Sequence, residues 1–457
     1  MGTIQRIDEF ALVFRLIKSV YDIRMLDIEL LRKEPERVKK GVAAKNFDPK
    51  RVDEFLKLDE EWRMLRTQVD EKRAEQKKLS EKRDIEGGKK NKEEIKGIEE
   101  KIGTLEKKRE EIWLSIPNLP SDDTPLGKDD SENKVVRQKG KPRDFTVEGF
   151  EPLDHLTLGE KLGIIDTERA SAIAGSRFAY LKGDAVLLEF ALVQYCLSTL
   201  ANPEVIQSNA EGVKPGYHAA TFTPVIPPVM IKPEVFARMA RLEPREERYH
   251  IPSDDMYLIG SAEHTLGPIH MDETIPEEKL PIRYVGFSTA FRREAGSYGK
   301  DTRGIIRVHQ FDKLEMESFV APEDGLTEQD FFVAMQEYFM WSLELPYQVV
   351  MCCTGDQGDP DARHLDIETW FPSEKKYRET HSADYMADYQ ARRLNTRLKR
   401  TGAAGGKGGT EFVHMNDATA FAIGRTLVAI IENYQTKDGK IEVPKVLQKY
   451  VGKKIIG

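Results

Sequence analysis

The chain has 457 residues, which is enough for two or three domains and a large core. Its formal net charge is −8 and its pI is near 5.8, so any contact with a nucleic acid must come from a local basic surface. The cysteines Cys196, Cys352 and Cys353 form no CxxC pair, which argues against a disulfide scaffold and a zinc site and fits a reducing cytoplasm. No apolar run reaches the length of a membrane span.

Residues 1–24 are predicted to be an N-terminal extension of unknown role. They contain an apolar patch from Phe10 to Phe14, but acidic residues precede it, and Arg15 and Lys18 interrupt its continuation. This is not the pattern of a secretory signal.

Residues 25–125 are predicted to form the first domain, and most of it reads as two long helices. From about Val52 to Ile116 the composition shifts to Lys, Glu and Arg, with apolar residues at alternating steps of four and three. The pattern breaks at Gly87 and Gly88 and then resumes, which predicts an antiparallel coiled-coil hairpin that turns at the two glycines. The predicted seam positions are Leu58, Trp62, Leu65, Val69, Lys72, Gln76, Leu79, Ile95, Ile98, Ile102, Leu105, Ile112 and Ile116.

Basic residues cluster near the predicted tip of this hairpin, among them Lys77, Lys78 and Lys82. A basic tip on a stiff arm suits contact with a phosphate backbone, which positions an RNA without reading its bases. The alternative interpretation is a hairpin that serves only as a dimerisation element or a spacer.

From Pro117 to Lys141 the chain has proline, glycine and acidic residues without periodicity, which predicts a linker. The second domain is predicted to cover residues 126–457. Within it, Ala185 to Leu200 is predicted to be an apolar helix.

The stretch from Gly286 to Phe319 reads as a strand, a glycine-rich loop with Gly296 and Gly299, and a return strand. In the return strand Arg307, Phe311 and Glu315 recur at steps of four on one face. These are a phosphate binder, a stacking platform and an acceptor for a hydroxyl or an amine. The alternative is a solvated strand face with salt bridges, but the loop and both flanks carry the same chemistry, which favours a functional site.

The segments FRREAGSYGKDTRG (Phe291–Gly304) and RVHQFDKLE (Arg307–Glu315) together resemble motif 2 of seryl-tRNA synthetases. The resemblance implies an α+β fold, with a class II synthetase antiparallel sheet of six or seven strands flanked by helices and an N-terminal antiparallel two-helix coiled-coil arm. It also implies that Arg292 bridges the ATP α-phosphate and the serine carboxylate and that Glu315 takes the serine hydroxyl. The further ATP contacts that it implies are Glu294, Arg307, Val308, His309, Gln310 and Phe311.

Two earlier segments support this resemblance. Thr223 to Met230 (TPVIPPVM) matches motif 1 of the family, which implies that Pro228 lies at the interface of a homodimer. Its paired prolines exclude a central strand, and an ordinary proline-rich turn is the alternative. In MYLIGSAEH, Ser261 and Glu263 match the family's Thr-x-Glu segment, so that both would bind serine, and Glu263 would accept from its ammonium group.

Two later segments complete the match. In YRETHS, Glu379 and Ser382 match the ATP and Mg²⁺ contacts of the family, and a capping interaction is the alternative. Asn416 to Gln435 matches motif 3, which implies that Arg425 binds the γ-phosphate and Thr419 helps to hold serine. Asp417 stands where the family has Asn. The glycines between Thr401 and Thr410 do not fit the register of a phosphate-binding loop and predict a flexible hairpin loop.

The resemblance implies a cytoplasmic, homodimeric serine–tRNA ligase that uses ATP and Mg²⁺, with no membrane partner. Its RNA partner would be tRNA(Ser), with tRNA(Sec) as a second candidate. Two other functions stay open. One is a synthetase paralogue that loads an amino acid onto a carrier protein, and the other is a non-catalytic RNA-binding protein.

Overall fold

The computed structural model describes residues 26–295, 303–402 and 408–457. These residues form two compact units, 26–120 and 121–457, which are described separately below. The predicted extension at 1–24, Gly296 and Gly299 of the predicted loop, and the centre of the glycine stretch at 403–407 lie outside the described residues. The first unit ends at Pro120, inside the segment that the sequence analysis treats as a linker.

The first unit consists of two short helices followed by two long antiparallel ones. They are α1 (Ile28–Lys33), α2 (Pro35–Ala44), α3 (Lys50–Glu81) and α4 (Ile85–Leu114). The predicted turn at Gly87 and Gly88 is wrong, because both glycines lie in the first turn of α4. The Asp84 carboxylate accepts a hydrogen bond from the Gly87 N–H at 2.9 Å, and this N-cap starts the helix before the glycines.

The predicted seam between α3 and α4 is confirmed. Val69, Ile102 and Leu105 are buried along it, and Lys72 and Gln76 are partly covered. Near the tip the seam becomes polar, since the Asn91 side-chain amide donates to Lys72 O at 2.9 Å and to Gln76 Oε1 at 3.0 Å. A polar layer of this kind fixes the register of two helices at some cost in stability.

The second unit is built on one eight-stranded sheet. Its strands are β1 (Lys134–Lys139), β2 (Thr223–Val225), β3 (Ile282–Phe291), β4 (Gln310–Val320), β5 (Tyr347–Met351), β6 (Arg363–Phe371), β7 (Lys376–Ala387) and β8 (His414–Ala422). Their order across the sheet is β1-β5-β6-β7-β8-β4-β3-β2. All neighbours are antiparallel except β2 and β3, which are parallel. The predicted antiparallel class is confirmed.

The predicted number of strands is too low because both edge strands come from segments with weak sequence signals. β1 lies inside the predicted linker and pairs with β5, from Lys134 opposite Met351 to Lys139 opposite Tyr347. All six residues of β1 are exposed, so it carries no alternating pattern. β2 comes from the proline-rich segment and occupies the opposite edge, as its prolines require.

The central hairpin of β3 and β4 is confirmed, with Gln310 opposite Phe291 and Phe319 opposite Ile282. The return strand begins at Gln310 rather than at Arg307, so Arg307, Val308 and His309 belong to the loop. At Gly304 the loop has φ +76°, and an added Cβ would lie 2.0 Å from His155 Nε2. Only glycine fits that approach.

The helices of the second unit are α5 (His155–Lys161), α6 (Thr167–Ala174), α7 (Asp184–Leu200), α8 (Pro203–Val213), α9 (Pro233–Arg238), α10 (Glu263–Leu266), α11 (Gly325–Ser342), α12 (Tyr389–Leu394), α13 (Ile423–Asn433) and α14 (Gln448–Val451). α7, α11 and α13 pack on one face of the sheet and bury the main core there. Leu314 and Met316 of β4 point into this core, while Glu315 and Glu317 point to the other face, which carries the candidate site.

Within the described part of the chain, four small sheets accompany the main one. They comprise Ile165–Asp166 with Tyr180–Leu181; Met230–Ile231, His250–Ile251 and Met256–Leu258; Thr274–Pro276, Arg397–Lys399 and Thr410–Phe412; and Ile441–Glu442 with Ile455–Ile456. Arg397–Lys399 and Thr410–Phe412 are the two strands that flank the predicted glycine-rich hairpin loop. Among the described helices, none alone has the length and apolar character of a membrane span. Only α7 and α8 taken together have them, with a 69° bend between the two.

Candidate active site

A cleft opens on the face of the sheet opposite α11. The β3–β4 hairpin, β7, β8 and the start of α13 form its walls. Nine of the residues predicted from sequence line it together: Arg292, Glu294, Arg307, Val308, Phe311, Glu379, Ser382, Thr419 and Arg425. They come from segments up to 133 positions apart in the sequence, and the pairing of β4, β7 and β8 brings them together.

Arg292 is fixed at the end of β3 by hydrogen bonds to the backbone. Its Nε donates to Gly260 O at 3.0 Å, and its own N–H donates to His309 O at 3.0 Å. The guanidinium carbon lies 5.4 Å from the centre of the Phe311 ring. With Nε held by the protein, the terminal nitrogens are available to bridge two anionic groups in the cleft.

Glu294 and Arg307 form a pair at the rim, with Glu294 Oε2 3.3 Å from Arg307 Nη1. Glu294 has φ +52°, a left-handed conformation that non-glycine residues rarely adopt. Strain of this kind clusters at ligand-binding sites, because the surrounding structure must enforce it.

Glu379 and Arg425 meet at the opposite wall, with Glu379 Oε1 2.8 Å from Arg425 Nη1. The charge of Arg425 lowers the pKa of Glu379 to about 2, so the carboxylate is ionised at neutral pH. Ser382 Oγ lies 3.3 Å from Thr419 Oγ1 on the neighbouring strand. A carboxylate and a hydroxyl are hard oxygen donors, and Mg²⁺ in nucleotide sites is held by such donors together with phosphates. The residues therefore fit the ion that the family resemblance implies.

A cluster of buried polar side chains, called the polar pocket below, adjoins the cleft at Lys313, which lines the cleft and belongs to the cluster. Ser261 Oγ donates to Glu263 Oε2 at 2.7 Å, and Glu315 Oε2 lies 3.2 Å from the same hydroxyl. Lys313 Nζ is 3.0 Å from Ser261 Oγ and also contacts Glu315. All four side chains are less than a tenth exposed. The pocket presents two carboxylates and a hydroxyl, which suit a small ligand with an ammonium group and a hydroxyl group.

Arg241 joins this pocket from the loop after α9. It lies 3.9 Å from Glu263, 3.3 Å from Asp417, 3.4 Å from Asp361 and 3.6 Å from Asp384, in each case between a guanidinium nitrogen and a carboxylate oxygen. Neither Arg241 nor Lys313 has a role in the sequence analysis. Lys313 lies on the same face of β4 as Phe311 and Glu315, which is a usable signal, but no local pattern marks Arg241.

The carboxylates of this pocket differ in their proton affinities. Burial raises the pKa of Glu263, but the charges of Lys313 and Arg241 outweigh it and leave the pKa below its usual value. Burial raises the pKa of Glu315 to about 7, and burial together with neighbouring carboxylates raises the pKa of Glu317 well above its usual value. Groups whose pKa values are pushed apart in one pocket are characteristic of binding and catalytic sites.

The remaining predicted residues lie outside the cleft. Gln310 lines a neighbouring cavity beside Phe178 and Glu189. His309 packs against Phe178, with ring centres 5.3 Å apart, and its Nδ1 lies 3.0 Å from Arg292 O, so it supports the cleft from behind. Pro228 is exposed at the sheet edge, and Lys77, Lys78 and Lys82 are exposed on and just after α3.

Comparisons with known proteins agree with this geometry. Residues 25–120 match the model of the seryl-tRNA synthetase N-terminal domain, and residues 248–434 match the class II tRNA synthetase core domain of the G, H, P, S and T enzymes. A serine–tRNA ligase of Thermodesulfovibrio yellowstonii is 40% identical over 448 residues, which cover 94% of this chain and 100% of that protein.

Two solved structures share the fold over nearly the whole chain. Seryl-tRNA synthetase from Pyrococcus horikoshii, solved with ATP, has a TM-score of 0.84 and 36% identity over 94% of this chain and 99% of its own. A cytoplasmic serine–tRNA ligase from Naegleria fowleri, solved with AMP, has a TM-score of 0.83 and 32% identity over 95% of this chain and 99% of its own. The chain therefore belongs to the seryl-tRNA synthetase family.

Proposed function

We infer that this protein is a serine–tRNA ligase, which activates serine with ATP and transfers it to the 3′ end of a tRNA. One observation carries the inference. The nucleotide cleft and the buried polar cluster of Ser261, Glu263 and Glu315 adjoin each other, because Lys313 lines the cleft and contacts Ser261 and Glu315, while Glu263 borders the same space as Arg292, and the cluster has the polarity for serine. Its relatives carry the same activity in their names.

In the first half-reaction a serine carboxylate oxygen attacks the α-phosphorus of ATP, and the bond to the departing pyrophosphate breaks. Two anions must approach each other in this step. Arg292, held through its Nε at the junction of the cleft and the pocket, offsets their repulsion and fixes their geometry. Arg307 and Arg425 face the same space and stabilise the charge on the phosphates. In the second half-reaction a hydroxyl of the terminal ribose attacks the seryl carbonyl and AMP leaves.

We propose the following contacts for the rest of the substrates. Phe311 stacks on adenine at one wall, and Glu263 accepts from the serine ammonium. Glu315 and Thr419 face the serine hydroxyl, so alanine would leave a buried acceptor without its partner. Mg²⁺, when bound with ATP, neutralises phosphate charge, and Glu379 and Ser382 are the residues that would hold it.

The first unit is proposed to bind the tRNA through its basic tip, where Lys77, Lys78 and Lys82 are exposed. Phosphate contacts of this kind supply affinity and position the RNA. tRNA(Ser) is the proposed substrate, and tRNA(Sec) is a second one to test.

We propose a homodimer through the edge of the sheet at β2. Pro228 is exposed there between Ile226, which is 85% exposed, and Met230, which is 46% exposed. Apolar side chains beside an open strand edge are typical of a surface that another chain covers. The proposed location of the enzyme is the cytoplasm.

Serine-dependent exchange of pyrophosphate into ATP, followed by charging of tRNA, tests the proposal. A serine–tRNA ligase performs both reactions. A paralogue that loads a carrier protein would perform the exchange and fail to charge tRNA, and a non-catalytic RNA-binding protein would perform neither. The basic arm argues against the first alternative, and the joint presence of Arg292, Arg307 and Arg425 in the cleft argues against the second.

A further inference from the structure

Three potential metal ligands converge just after β5 and on β6 of the second unit, beside the proposed ATP site. Cys352 Sγ lies 3.3 Å from Asp366 Oδ2, and His364 Nε2 lies 2.8 Å from Asp366 Oδ1. All three ligand atoms lie within 4.8 Å of one another. Cys352 is 1% exposed, and the side chains of His364 and Asp366 are 18% and 13% exposed.

The strands hold these side chains together. The Cys352 N–H donates to His364 O at 3.0 Å, so the two residues are neighbours across the ladder. Asp366 follows His364 by two positions in β6, which places both side chains on the same face of the sheet. Ligands on adjacent strands are positioned more precisely than ligands on loops.

The separations suit a small ion. Tetrahedral zinc, with bonds of about 2.3 Å to sulfur and about 2.0 Å to nitrogen or oxygen, places its ligand atoms about 3.3 to 3.6 Å apart. With one ligand atom taken from each residue, the three atoms lie within 4.8 Å of one another, and side-chain rotation can bring them to the separations of a zinc site.

The surroundings supply outer contacts of the kind that metal sites need. Asp384 Oδ1 lies 2.8 Å from His364 Nδ1, the ring nitrogen that faces away from Cys352 and Asp366. A carboxylate at that nitrogen orients a ligating imidazole and raises its basicity. On the other side, the Asn133 side-chain amide donates to Cys352 Sγ at 3.7 Å and would stabilise a thiolate.

We propose that Cys352, His364 and Asp366 form a binding site for a zinc-class transition-metal ion. The mixed set of sulfur, nitrogen and oxygen donors selects Zn²⁺ or Co²⁺ over Mg²⁺. Three protein ligands leave a fourth position for water. The sequence analysis argues against a zinc site because the cysteines form no CxxC pair, whereas ligands that gather across strands do not need that spacing.

Asp366 also connects this site to the active-site cleft, because it stands opposite Ser382 in the register of β6 and β7. A bound ion would therefore brace β6 beside Ser382. The test of the metal site reads Co²⁺ binding and not serine activation, so that test and the exchange assay can fail separately.

The test uses the full-length protein, stripped with a chelator and titrated with Co²⁺. We expect one Co²⁺ per chain and a thiolate-to-cobalt charge-transfer band in the near ultraviolet, which a hundredfold excess of Mg²⁺ does not displace. Cys352→Ser should remove the band. Cys353→Ser is the matched control, because this neighbouring cysteine is equally buried but its Sγ donates to Asp129 O at 3.2 Å, and it should keep the band.

Asp384→Asn should weaken Co²⁺ binding about tenfold and retain the band, because Asp384 contacts the His364 ring and is not itself a proposed metal ligand. His364→Gln retains the thiol and should also lose tight binding, which covers the case in which Cys352→Ser does not fold. Less than a tenth of an ion per chain, a band that survives Cys352→Ser, or equal loss in Cys353→Ser would overturn the proposal.

Discussion

The two units of this protein each bury a carboxylate, and they treat it in opposite ways. In the first unit, Asp59 has no exposed side-chain surface and lies among three guanidinium groups, those of Arg32 at 2.9 Å, Arg63 at 3.1 Å and Arg109 at 2.8 Å. In the second unit, Glu315 is 1% exposed, and its Oε1 accepts no hydrogen bond from any described residue.

The proton affinities follow this difference. Burial raises the pKa of Asp59, but Arg32 and Arg109 outweigh it, so the pKa lies below its usual value. Burial raises the pKa of Glu315 to about 7, and Lys313 offsets it only in part. A buried charge whose partners are all supplied by the protein stabilises the fold. A buried carboxylate that is only partly paired can still accept a hydrogen bond from a ligand. The comparison predicts that changes in the pocket affect catalysis and that changes at Asp59 affect stability.

Of the substitutions considered, Arg292→Ala is expected to have the largest effect on catalysis. If it lowered the stability of the protein instead of its activity, the distinction between the two units would not hold. The substitution removes the group that bridges two anions, so we expect serine-dependent pyrophosphate exchange to fall about a hundredfold or more, or about 3 kcal/mol of transition-state stabilisation. The melting temperature should change little. The neighbouring and exposed Arg293 is the matched control, and Arg293→Ala should retain most of the activity. Near-normal exchange in Arg292→Ala would refute the assigned role.

Asp59→Asn tests the other side of the comparison. It leaves three arginines around a neutral side chain, so we expect the first unit to lose about 3 kcal/mol of unfolding free energy, measured by denaturant titration. Because the pKa of Asp59 is lowered by folding, its contribution is present above the unfolded pKa of about 3.9 and is lost as the pH falls below it. The control is Asp53→Asn, since Asp53 is exposed and, among the described residues, forms its ion pair with Lys39. If the two substitutions lowered the unfolding free energy equally, the cluster at Asp59 would contribute no more to stability than an exposed ion pair.

Glu315→Gln sharpens the comparison, because function and stability should move in opposite directions. We expect the KM for serine to rise about tenfold, while the KM for ATP stays within about twofold. The unfolded chain ionises this group near pH 4.3 and the folded chain near pH 7, so ionisation destabilises the folded state increasingly between these values. Glu315→Gln should therefore raise the unfolding midpoint at pH 8 and leave it unchanged at pH 4. If the KM for ATP rose and the KM for serine did not, the assignment of Glu315 to the serine pocket would be refuted.

The combined change of Lys77, Lys78 and Lys82 to Ala gives the smallest expected effect on the enzyme itself. These side chains are exposed, so neither stability nor pyrophosphate exchange should change. The affinity for tRNA should fall, and the slope of log K against log salt should become less steep by about two, as for three lost phosphate contacts. The matched control replaces Lys101, Lys107 and Lys108, which are equally exposed on α4. An equal loss in both variants would mean that the tip is not the RNA-binding surface.

Local patterns in the sequence are sufficient to predict those helices and strands whose own residues carry the pattern. The heptad spacing predicts the α3–α4 seam, including Lys72 and Gln76, because each helix presents the same face over many turns. The alternation in β4 predicts that Glu315 and Glu317 share a face. The motif segments predict nine residues that line one cleft, and their individual roles stay predictions.

Only the tertiary structure decided what distant segments do to one another. The turn lies before Gly87 because Asp84 caps the first turn of α4 and the helix therefore includes both glycines. The strand β1 forms because it pairs with β5 at the edge of the sheet. Arg241, the cluster around Asp59, and the grouping of Cys352, His364 and Asp366 depend on which segments become neighbours. Sequence spacing records periodicity along one element, whereas these contacts arise from pairing between elements, which no local pattern encodes.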